Sequence, residues 1–530
     1  MTAGSGASTR TLRVRWLGRV AYQDAHALQH GLFAHSADDH LLLLEHPHVF
    51  TLGPRGSLDH LLVDAEAVGA QVVRTDRGGD ITYHGPGQLV GYPVLTVPGK
   101  RGGGMADTVA YVRSVEQLLI DTLADLGLAD VGRIDGLAGV WVAPDSDRPR
   151  KVAAIGVKLS RGRSMHGFAL NVDTDLEWFD RIVPCGITDK GVTSLRAEGL
   201  DVDMATVVDA LVARAVERWG QAGWDRADVR ALPSEVPLRL GGMTISERKP
   251  EWLRAPVRLG EDYRALRKRM RRLDLVTVCE EAGCPNISEC WADGTATFML
   301  NGERCTRACG FCLVDTRKPD APPELDEPRR VADAVAEMGL RFAVLTAVAR
   351  DDLPDGGAGQ FAATIEAIRR RSPGTEVEVL IPDCKGDPEA LDLIFRARPD
   401  VLNHNLETVA RLQRAVRPSA GYARSLAVLA RAKAAGLTTK SGMILGLGET
   451  EDEVVEALAD LAAVGTDIVT LGQYLRPTAR HLPVERWWTP EEFERLAAAG
   501  EQLGIGHVEA GPLVRSSYHA REAAEATTNH

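Results

Sequence analysis

The sequence predicts an α/β protein made of two domains. In the C-terminal half, six apolar runs of strand type alternate with helical patterns, as in a parallel sheet with right-handed crossovers. The N-terminal half also mixes strand and helix patterns but shows no regular order. Between the halves, residues 231–250 hold three prolines and a Gly-Gly pair, which interrupt helices and strands. We therefore expect a disordered tail over 1–10, a first domain over 11–232, a linker over 233–246 and a second domain over 247–530.

The composition fits folded domains and excludes several functional classes. The chain has 530 residues, of which 44% are hydrophobic and 26% are charged, an ordinary globular balance. Its net charge of −12 argues against general nucleic-acid binding, because a phosphate-binding surface shows as a basic excess. No apolar run reaches the roughly 18 residues of a membrane span, so we expect none. Met1–Arg10 is small and polar and does not read as a signal peptide.

The second domain has a regular rhythm of strands and helices. Strands are predicted at Thr297–Leu300, Phe342–Val348, Val377–Ile381, Val401–Leu406, Ser441–Leu445 and Ile468–Leu475. Helices are predicted at Arg329–Leu340, Gln360–Arg371, Pro388–Arg398, Ala423–Ala435 and Glu451–Val464. Thr450 and Glu453 are placed to form a capping box at the start of the last helix. Because the strands are similar in length, a closed or partly closed barrel is favoured, with its chemistry on the loops that follow the strands.

The first domain is predicted to be a mixed α/β sandwich. Its strands are predicted at Leu41–Leu44, Gln71–Arg74, Leu89–Leu95, Gly139–Val142, Val152–Val157 and Gly167–Val172. Its helices are predicted at Val109–Leu126 and Met204–Trp219. The patterns do not give the order of the strands in the sheet.

Six of the eight cysteines lie within 34 residues of the second domain, which indicates metal or cluster ligation in a reducing compartment. Cys305, Cys309 and Cys312 share one short loop directly after the first predicted strand. Three thiolates leave one iron of a 4Fe–4S cluster open, whereas four cysteines usually close it. A zinc site is the alternative, but zinc prefers four closed ligands and paired CxxC spacing.

A second set of three cysteines, Cys279, Cys284 and Cys290, precedes the first set. Their regular short spacing indicates a second cluster. A fourth ligand could come from Cys384 or from a hydroxyl of the tail sequence Arg515–Tyr518. Ligand chemistry alone favours Cys384, since thiolate is the softer ligand for iron.

Cys185 is the only cysteine before residue 235. A lone cysteine is usually a small buried hydrophobe, and a catalytic role requires a nearby cation or base. Lys151 and His84 are candidates for that partner. The glycine-rich run Arg77–Gln88 suits close approach of backbone N–H groups to a ligand, but no Gly-Lys-Ser/Thr follows, so it is not a Walker motif.

Over nearly all of residues 247–520, the second domain closely resembles the lipoyl synthase family. The matching stretches include VCEEAGCPNISECW, CTRACGFC, NHNLET, SGMILGLGE and GPLVRSSYHA. The resemblance implies a partial (β/α)6 radical S-adenosylmethionine barrel with two 4Fe–4S clusters. The cluster that cleaves S-adenosylmethionine would be held by Cys305, Cys309 and Cys312. The auxiliary cluster would be held by Cys279, Cys284, Cys290 and Ser517, so the resemblance replaces Cys384 with a serine and makes Cys384 a packing thiol.

The second domain departs from that family after its second predicted strand. The family usually reads Thr-Ser-Val-Asp-Arg-Asp-Asp, whereas this chain has Ala347 and Ala349 at the serine and first aspartate. One hydroxyl and one carboxylate are therefore missing. If Ala349 stands near the cofactor, a weakened synthase is expected.

Over about residues 11–220, the first domain resembles the lipoyl(octanoyl) transferase family. The matching stretches are LLLLEHPHVFTLG, RGGDITYHGPGQLVGYPV, RKVAAIGVKLSRGRSMHGFALNV and IVPCGITDKGVTSL. The resemblance implies the fold of biotin and lipoate protein ligases and a catalytic pair, Cys185 and Lys151. The implied lining of the acyl tunnel is Arg77, Gly78, Gly79, Asp80, Ile81, Thr82, Tyr83, His84, Ala154, Ile155, Gly156, Gly167, Phe168 and Ala169.

Together the two resemblances imply one cytoplasmic, bifunctional enzyme of lipoate biosynthesis. The first domain would move octanoate from octanoyl-acyl carrier protein to a lysine of a lipoyl carrier domain, such as 2-oxoacid dehydrogenase E2 subunits or glycine cleavage H protein. The second domain, supplied by an electron donor, would insert sulfur at C6 and C8 of that chain. Two alternatives stay open: an electron-transfer or scaffold protein with structural clusters, and a chain in which one domain is active and the other only docks carriers.

Overall fold

A computed structural model describes residues 10–99, 106–183, 190–229, 249–253 and 295–528. The chain divides into two compact units, Met1–Val229 and Arg230–His530. Several predicted features lie outside the described residues: most of the expected tail, the linker 233–246, Cys185, and the cysteines Cys279, Cys284 and Cys290.

The first unit is built on a nine-stranded mixed sheet with the order β12-β1-β2-β6-β10-β9-β8-β7, in which β11 pairs with β9. The first three strands of that order run parallel, and the following neighbours run antiparallel. The strands of this sheet are β1 (Leu12–Arg19), β2 (Asp39–Glu45), β6 (Gln88–Val94), β7 (Val131–Ile134), β8 (Leu137–Val142), β9 (Arg150–Ser160), β10 (Arg163–Asn171), β11 (Gly191–Val192) and β12 (Trp224–Asp228).

Among its described residues, the first unit also has three helices and a small second sheet. The helices are α1 (Tyr22–His35), α2 (Thr108–Asp125) and α3 (Met204–Trp219); the small sheet has the order β4-β3-β5, from β3 (Val49–Leu52), β4 (Gln71–Arg74) and β5 (Ile81–His84). Helices α2 and α3 pack on the large sheet through apolar side chains such as Leu119 and Leu211. Both begin at an aspartate whose side chain accepts a backbone N–H of the first turn.

The second unit is a seven-stranded parallel sheet in which every strand pairs with the next strand along the chain. The strands are β13 (Thr295–Leu300), β14 (Phe342–Ala347), β15 (Glu376–Leu380), β16 (Val401–Asn403), β17 (Thr438–Leu445), β18 (Ile468–Gln473) and β19 (His507–Gly511). The predicted six β/α units of a partial barrel are present, and β19 adds a seventh strand that the sequence patterns did not show.

Helices alternate with these strands, and the main helical core packs on one face of the sheet. They are α4 (Glu327–Met338), α5 (Ala358–Arg371), α6 (Pro388–Arg396), α7 (Gln413–Val416), α8 (Tyr422–Ala434), α9 (Glu451–Ala463), α10 (Pro490–Gln502) and α11 (Ala520–Thr528). The capping box of Thr450 and Glu453 is confirmed at the start of α9. The last helix packs through Ala520 against Phe342, Val344 and Val401, which lie near the beginnings of their strands.

A charged pair is buried on the opposite face of the strands from the main helical core. Lys440 Nζ lies 3.0 Å from Glu378 Oε2, and both side chains are fully buried. Asn403, on the strand between them, donates from Nδ2 to Glu378 Oε1 at 2.9 Å. The pair therefore ties β15, β16 and β17 together in a setting where neither charge has water to replace its partner.

We expect Lys440→Met to destabilise the second unit by about 3–5 kcal/mol, because it leaves the Glu378 carboxylate buried without its counter-charge. At roughly 2 °C per kcal/mol for a domain of this size, the Tm of that unit should fall by about 6–10 °C in differential scanning calorimetry of the full chain. The control is Lys433→Met, which removes a partly exposed pair with Asp467 and should lower the Tm much less. Equal shifts in the two variants would contradict the assigned importance of the buried pair.

Candidate functional sites

The first unit contains a cavity of about 450 Å³ between the glycine-rich segment and strands β9 and β10. Twelve of the residues predicted for the acyl site line it: Arg77, Gly78, Gly79, Thr82, His84, Lys151, Ala154, Ile155, Gly156, Gly167, Phe168 and Ala169. The fold thus brings together side chains from three separate stretches of the sequence.

Strand alternation divides the predicted loop Arg77–His84 between two environments. Thr82 and His84 face the cavity, whereas Ile81 and Tyr83 point to the other side of β5 and join the small core around Trp178. Asp80 also lies outside the cavity lining, with Oδ2 2.5 Å from His60 Nδ1. Asp80, Ile81 and Tyr83 therefore support the loop from outside the cavity.

At two positions of the site, close backbone contacts leave room only for glycine. A Cβ on Gly156 would lie 2.9 Å from the carbonyl oxygen of Gly78, and a Cβ on Gly167 would lie 2.1 Å from that of Gly91. Gly78 in turn donates its N–H to the carbonyl of Val157 at 3.1 Å. The glycine-rich segment can lie against β9 only because no side chain stands between them.

Lys151 lies on β9 at the cavity, and its Nζ is 4.6 Å from the ring centroid of Trp141. A cation over an indole face is favoured in its charged form. Strand β11 pairs beside this lysine, with Val192 opposite Lys151. Sequence reasoning missed Trp141, which carries no motif and is brought to the lysine only by the pairing of β8 with β9.

His84, which lines the cavity, is held neutral. Burial, followed by the neighbouring His46, lowers the pKa of His84 to about 3. Its Nδ1 lies 2.8 Å from Gln88 Oε1, which fixes the ring. Of the two partners that the sequence suggested for Cys185, His84 is therefore uncharged at neutral pH.

The second candidate site is the three-cysteine loop that follows β13. Cys305, Cys309 and Cys312 are partly buried and unpaired. Backbone bonds hold the loop at both ends: Cys305 donates to the carbonyl of Asp315 at 2.8 Å, and Gly310 donates to that of Val416 at 2.9 Å. The N–H of Arg307 points at Cys305 Sγ from 3.4 Å.

Burial raises the pKa of the Cys309 thiol and raises that of Cys312 to about 11. Three free, half-buried thiols on one anchored loop fit a 4Fe–4S cluster, because iron would stabilise the thiolates that burial disfavours. Among the described residues, Cys384 lies in the helical core, and His481 Nε2 bonds the carbonyl oxygen of Cys312 at 2.9 Å.

Arg307, inside the loop, forms a buried fork. It donates to both carboxylate oxygens of Asp351, at 2.7 and 2.8 Å, and to Oδ1 of Asp383 at 2.6 Å. Burial opposes ionisation of Asp383, but the hydrogen bond and charge of Arg307 lower its pKa. The arginine thus joins the cysteine loop to the loops that follow β14 and β15. Sequence reasoning missed Arg307, and only its position between Cys305 and Cys309 could have indicated this role.

The alanines that depart from the family pattern lie next to this loop. Ala349 is buried, and its carbonyl accepts from both the N–H and the hydroxyl of Thr306 at 2.9 Å. Ala347 ends β14 and packs against the helical core. The contact with Thr306 uses the backbone alone, so the loop is held there whatever the side chain at residue 349.

The two candidates for a fourth auxiliary ligand lie in different surroundings. Cys384 is 4% exposed within the helical core, and burial raises its pKa to about 12. Ser517 is partly buried in the turn after β19, beside Ser516, whose hydroxyl accepts from Asn405 Nδ2 at 2.8 Å. The serine turn is thereby tied to the end of β16, while the cysteine behaves as a packing thiol.

Each half of the chain matches a known protein family. A model of the lipoyl protein ligase A/B catalytic domain matches residues 21–215, the N-terminal domain of lipoyl synthase matches 232–284, and the radical SAM superfamily matches 301–461. A lipoyl synthase of Mycobacterium avium is 58% identical over 53% of this chain and 93% of its own length. One of Rubrobacter xylanophilus is 58% identical over 52% of this chain and 87% of its own.

A solved lipoate protein ligase of Thermoplasma acidophilum, Ta0514, shares 17% identity over 42% of this chain and 90% of its own, with a TM-score of 0.35. That similarity is too low to support any statement about function. No helix among the described residues combines the length and apolarity that a membrane crossing requires.

The parallel β/α sheet and its three-cysteine loop define a radical S-adenosylmethionine enzyme, joined here to a catalytic domain of the lipoyl protein ligase A/B type. The chain belongs to the lipoyl synthase family, through its C-terminal half. Its cofactors are 4Fe–4S clusters and S-adenosylmethionine, and the pairing of the two domains makes it a bifunctional enzyme of lipoate biosynthesis.

We expect Arg307→Ala to speed the loss of iron from the three-cysteine loop by at least about tenfold, because supports behind metal ligands commonly contribute 10–100-fold in affinity. Iron release to a chelator would be followed without oxygen in a chain whose Cys279, Cys284 and Cys290 are replaced by alanine, so that the remaining iron reports on this loop. The control is Arg317→Ala, an exposed arginine paired with Asp315. Equal release rates in the two variants would contradict the positioning role.

Proposed function

We propose that this chain performs two successive reactions: transfer of an octanoyl group from acyl carrier protein to a lysine of a lipoyl carrier domain, and insertion of sulfur at C6 and C8 of that group. The observation that carries the proposal is the presence, on one chain, of a lipoyl ligase A/B catalytic domain and a lipoyl synthase domain. An octanoylated carrier is the product of the first reaction and the substrate of the second.

In the first reaction, Cys185 would be the nucleophile. Its thiolate would attack the thioester carbonyl of octanoyl-acyl carrier protein, and the departing carrier thiolate would take a proton from the ammonium of Lys151. The amine of the acceptor lysine would then attack the new thioester, and Cys185 would leave as a thiolate. The neutral Lys151, held over Trp141, would take up the proton that the amine gives up as the amide forms, which restores the charge that stabilises the thiolate.

The cavity supports an acyl substrate for this step. Its walls include the apolar side chains of Ala154, Ile155, Phe168 and Ala169. The buried His84 is held neutral, so an acyl chain entering here would not displace water from a charged imidazole. An apolar chain of moderate length with a reactive end at Lys151 is the ligand that suits this arrangement.

In the second reaction, Cys305, Cys309 and Cys312 would hold the cluster that reductively cleaves S-adenosylmethionine and so supplies the radicals for hydrogen abstraction. The described side chains around the three-cysteine loop would hold it in position. Arg307 ties the loop to Asp351 and Asp383. Cys279, Cys284, Cys290 and Ser517 would hold the auxiliary, sulfur-donating cluster, with Ser517 brought in by the turn that Asn405 anchors.

The partners follow from these reactions: octanoyl-acyl carrier protein, lipoyl carriers such as E2 subunits and glycine cleavage H protein, and an electron donor. Four unpaired cysteines among the described residues suit a reducing, cytoplasmic compartment. The alternative, in which one domain only docks carriers, rests on the replacement of two polar family residues by Ala347 and Ala349. An electron-transfer protein would hold the clusters without cleaving S-adenosylmethionine.

We expect Cys185→Ala to abolish octanoyl transfer, because no thioester can form, and to leave sulfur insertion on pre-octanoylated carrier unchanged. Both products would be followed by mass spectrometry of the carrier domain after anaerobic reconstitution of the full chain. Cys384→Ala serves as the matched control, since it removes a thiol that belongs to the core of the other unit. Retained octanoyl transfer would refute the role of Cys185. Loss of both activities in a folded variant would refute separable domains.

For the auxiliary cluster, we expect Ser517→Ala to lose lipoyl product while Cys384→Ala retains it. An oxygen ligand is harder than thiolate and more easily lost, which suits a cluster that must come apart as it gives up sulfur. Product formation and the iron content of each holoprotein would be measured together. If only the cysteine variant loses product and iron, Cys384 is the ligand and the assignment of Ser517 fails.

A further inference from the structure

We propose that the first unit binds a divalent transition-metal ion, Zn²⁺ in the first instance, through His26, His30, Asp76 and His166. The inference goes beyond the proposed function, because it concerns a site in the acyl-transfer unit that the two reactions do not require. The ligands come from helix α1, the segment after β4 and strand β10.

The candidate ligand atoms already lie close together. One atom each from His26, Asp76 and His166 falls within 4.8 Å of the others, and His30 lies outside this group, in contact with His26. Asp76 Oδ1 is 2.7 Å from Nε2 of His166 and 3.5 Å from Nε2 of His26, and Nε2 of His30 is 3.2 Å from that of His26. Ligand atoms of a tetrahedral zinc ion with bonds near 2.0–2.1 Å lie about 3.3 Å apart, so small movements would suffice for the first three side chains, and His30 would turn further to complete the set.

The arrangement follows from local structure. His26 and His30 are four residues apart on α1 and therefore share one face of the helix. His166 is fully buried, and its backbone N–H donates to Gln29 Oε1 at 2.9 Å, which holds β10 against α1. Asp76 turns Oδ1 toward the histidines, while Oδ2 accepts from Lys158 at 2.5 Å.

Three imidazoles and one carboxylate favour zinc and its neighbours over magnesium or calcium, which prefer oxygen ligands. Binding would form coordinate bonds only, with no oxidation or reduction. His166 now donates from Nε2 to Asp76, so ligation through Nε2 would place its proton on Nδ1. The alternative is that these side chains only support His166 through hydrogen bonds. The positive charge of Lys158 would then balance the Asp76 carboxylate in place of a metal ion.

The position of the cluster gives a bound ion a consequence for the first unit. Asp76 directly precedes Arg77, and His166 itself lines the acyl cavity with Arg77 and Gly78. An ion at this point would fasten α1 to the start of the glycine-rich segment. Occupancy would therefore raise the thermal stability of the first unit and restrain the wall of the cavity.

The test uses the full chain with its clusters assembled without oxygen, so that the cluster-binding cysteines are filled with iron. Zinc would be titrated against a competing chelator, with bound zinc and iron counted by elemental analysis. Zinc K-edge X-ray absorption would identify the ligands, since zinc bonds nitrogen and oxygen near 2.0–2.1 Å and sulfur near 2.3 Å. We expect one zinc per chain, a shell of nitrogen and oxygen only, and unchanged iron.

The variants separate the metal site from the hydrogen-bonded support. His26→Gln should weaken zinc binding at least about tenfold, since even supporting residues contribute that much. Lys158→Met should tighten it, because a competing positive charge is removed. His35→Gln, which removes an exposed imidazole from the same helix outside the cluster, should leave Kd unchanged.

Three results would overturn the proposal. The protein with its clusters filled with iron would bind no zinc, or sulfur ligands would surround the zinc, or His26→Gln would bind zinc with the same affinity as the wild type. A misfolded His26→Gln would show in calorimetry of the full chain, and His30→Gln, at an exposed position, then replaces it.

Discussion

One buried guanidinium joins the three-cysteine loop to the two neighbouring strand ends. Arg307 belongs to the loop after β13 and pairs with Asp351 after β14 and Asp383 after β15. Three successive strand ends are thus fastened at the same edge of the sheet, where the three thiols stand. A planar fork with two carboxylates does this better than a lysine, because it holds both direction and distance. Further along the same edge, Asn405 anchors the serine turn in the same manner.

The acyl-transfer unit depends instead on glycines, whose lack of a side chain lets segments of backbone approach each other closely. The glycine-rich segment approaches β9, and β10 approaches β6, at distances that a Cβ would prevent. The resulting cavity combines apolar side chains with Arg77, Thr82, His84 and Lys151, and burial keeps His84 uncharged. Lys151 lies beside Trp141 at this wall. The two proposed reactions would place different demands on the units: one would hold three partly buried thiols together for a cluster, and the other would keep an apolar chain away from water.

Much of the second unit was predictable because local patterns and tertiary structure agree there. Each of the six predicted strands is present, and the capping box begins α9 where the sequence placed it. Strand β19 was missed because its partly exposed residues His507–Gly511 lack a continuous apolar run. In the first unit, helix α3 was predicted with its observed bounds, while α1 was not recognised. The strands β1, β3 and β5 were not recognised either, since their burial arises from pairing between distant segments.

By itself, the sequence determined the two-domain α/β organisation and the three-cysteine loop after a strand, because these depend on spacing and local periodicity. The residues expected at the acyl site came as a set from the family resemblance. The tertiary structure decided which members of that set share a cavity. Alternation along β5 sends Thr82 and His84 inward and Ile81 and Tyr83 into a separate core. It also decided the pairing of Arg307 with Asp351 and Asp383, and the meeting of Asp76 with His26 and His166. Such contacts join residues far apart in the chain, and their distances are fixed only when the sheets and helices pack.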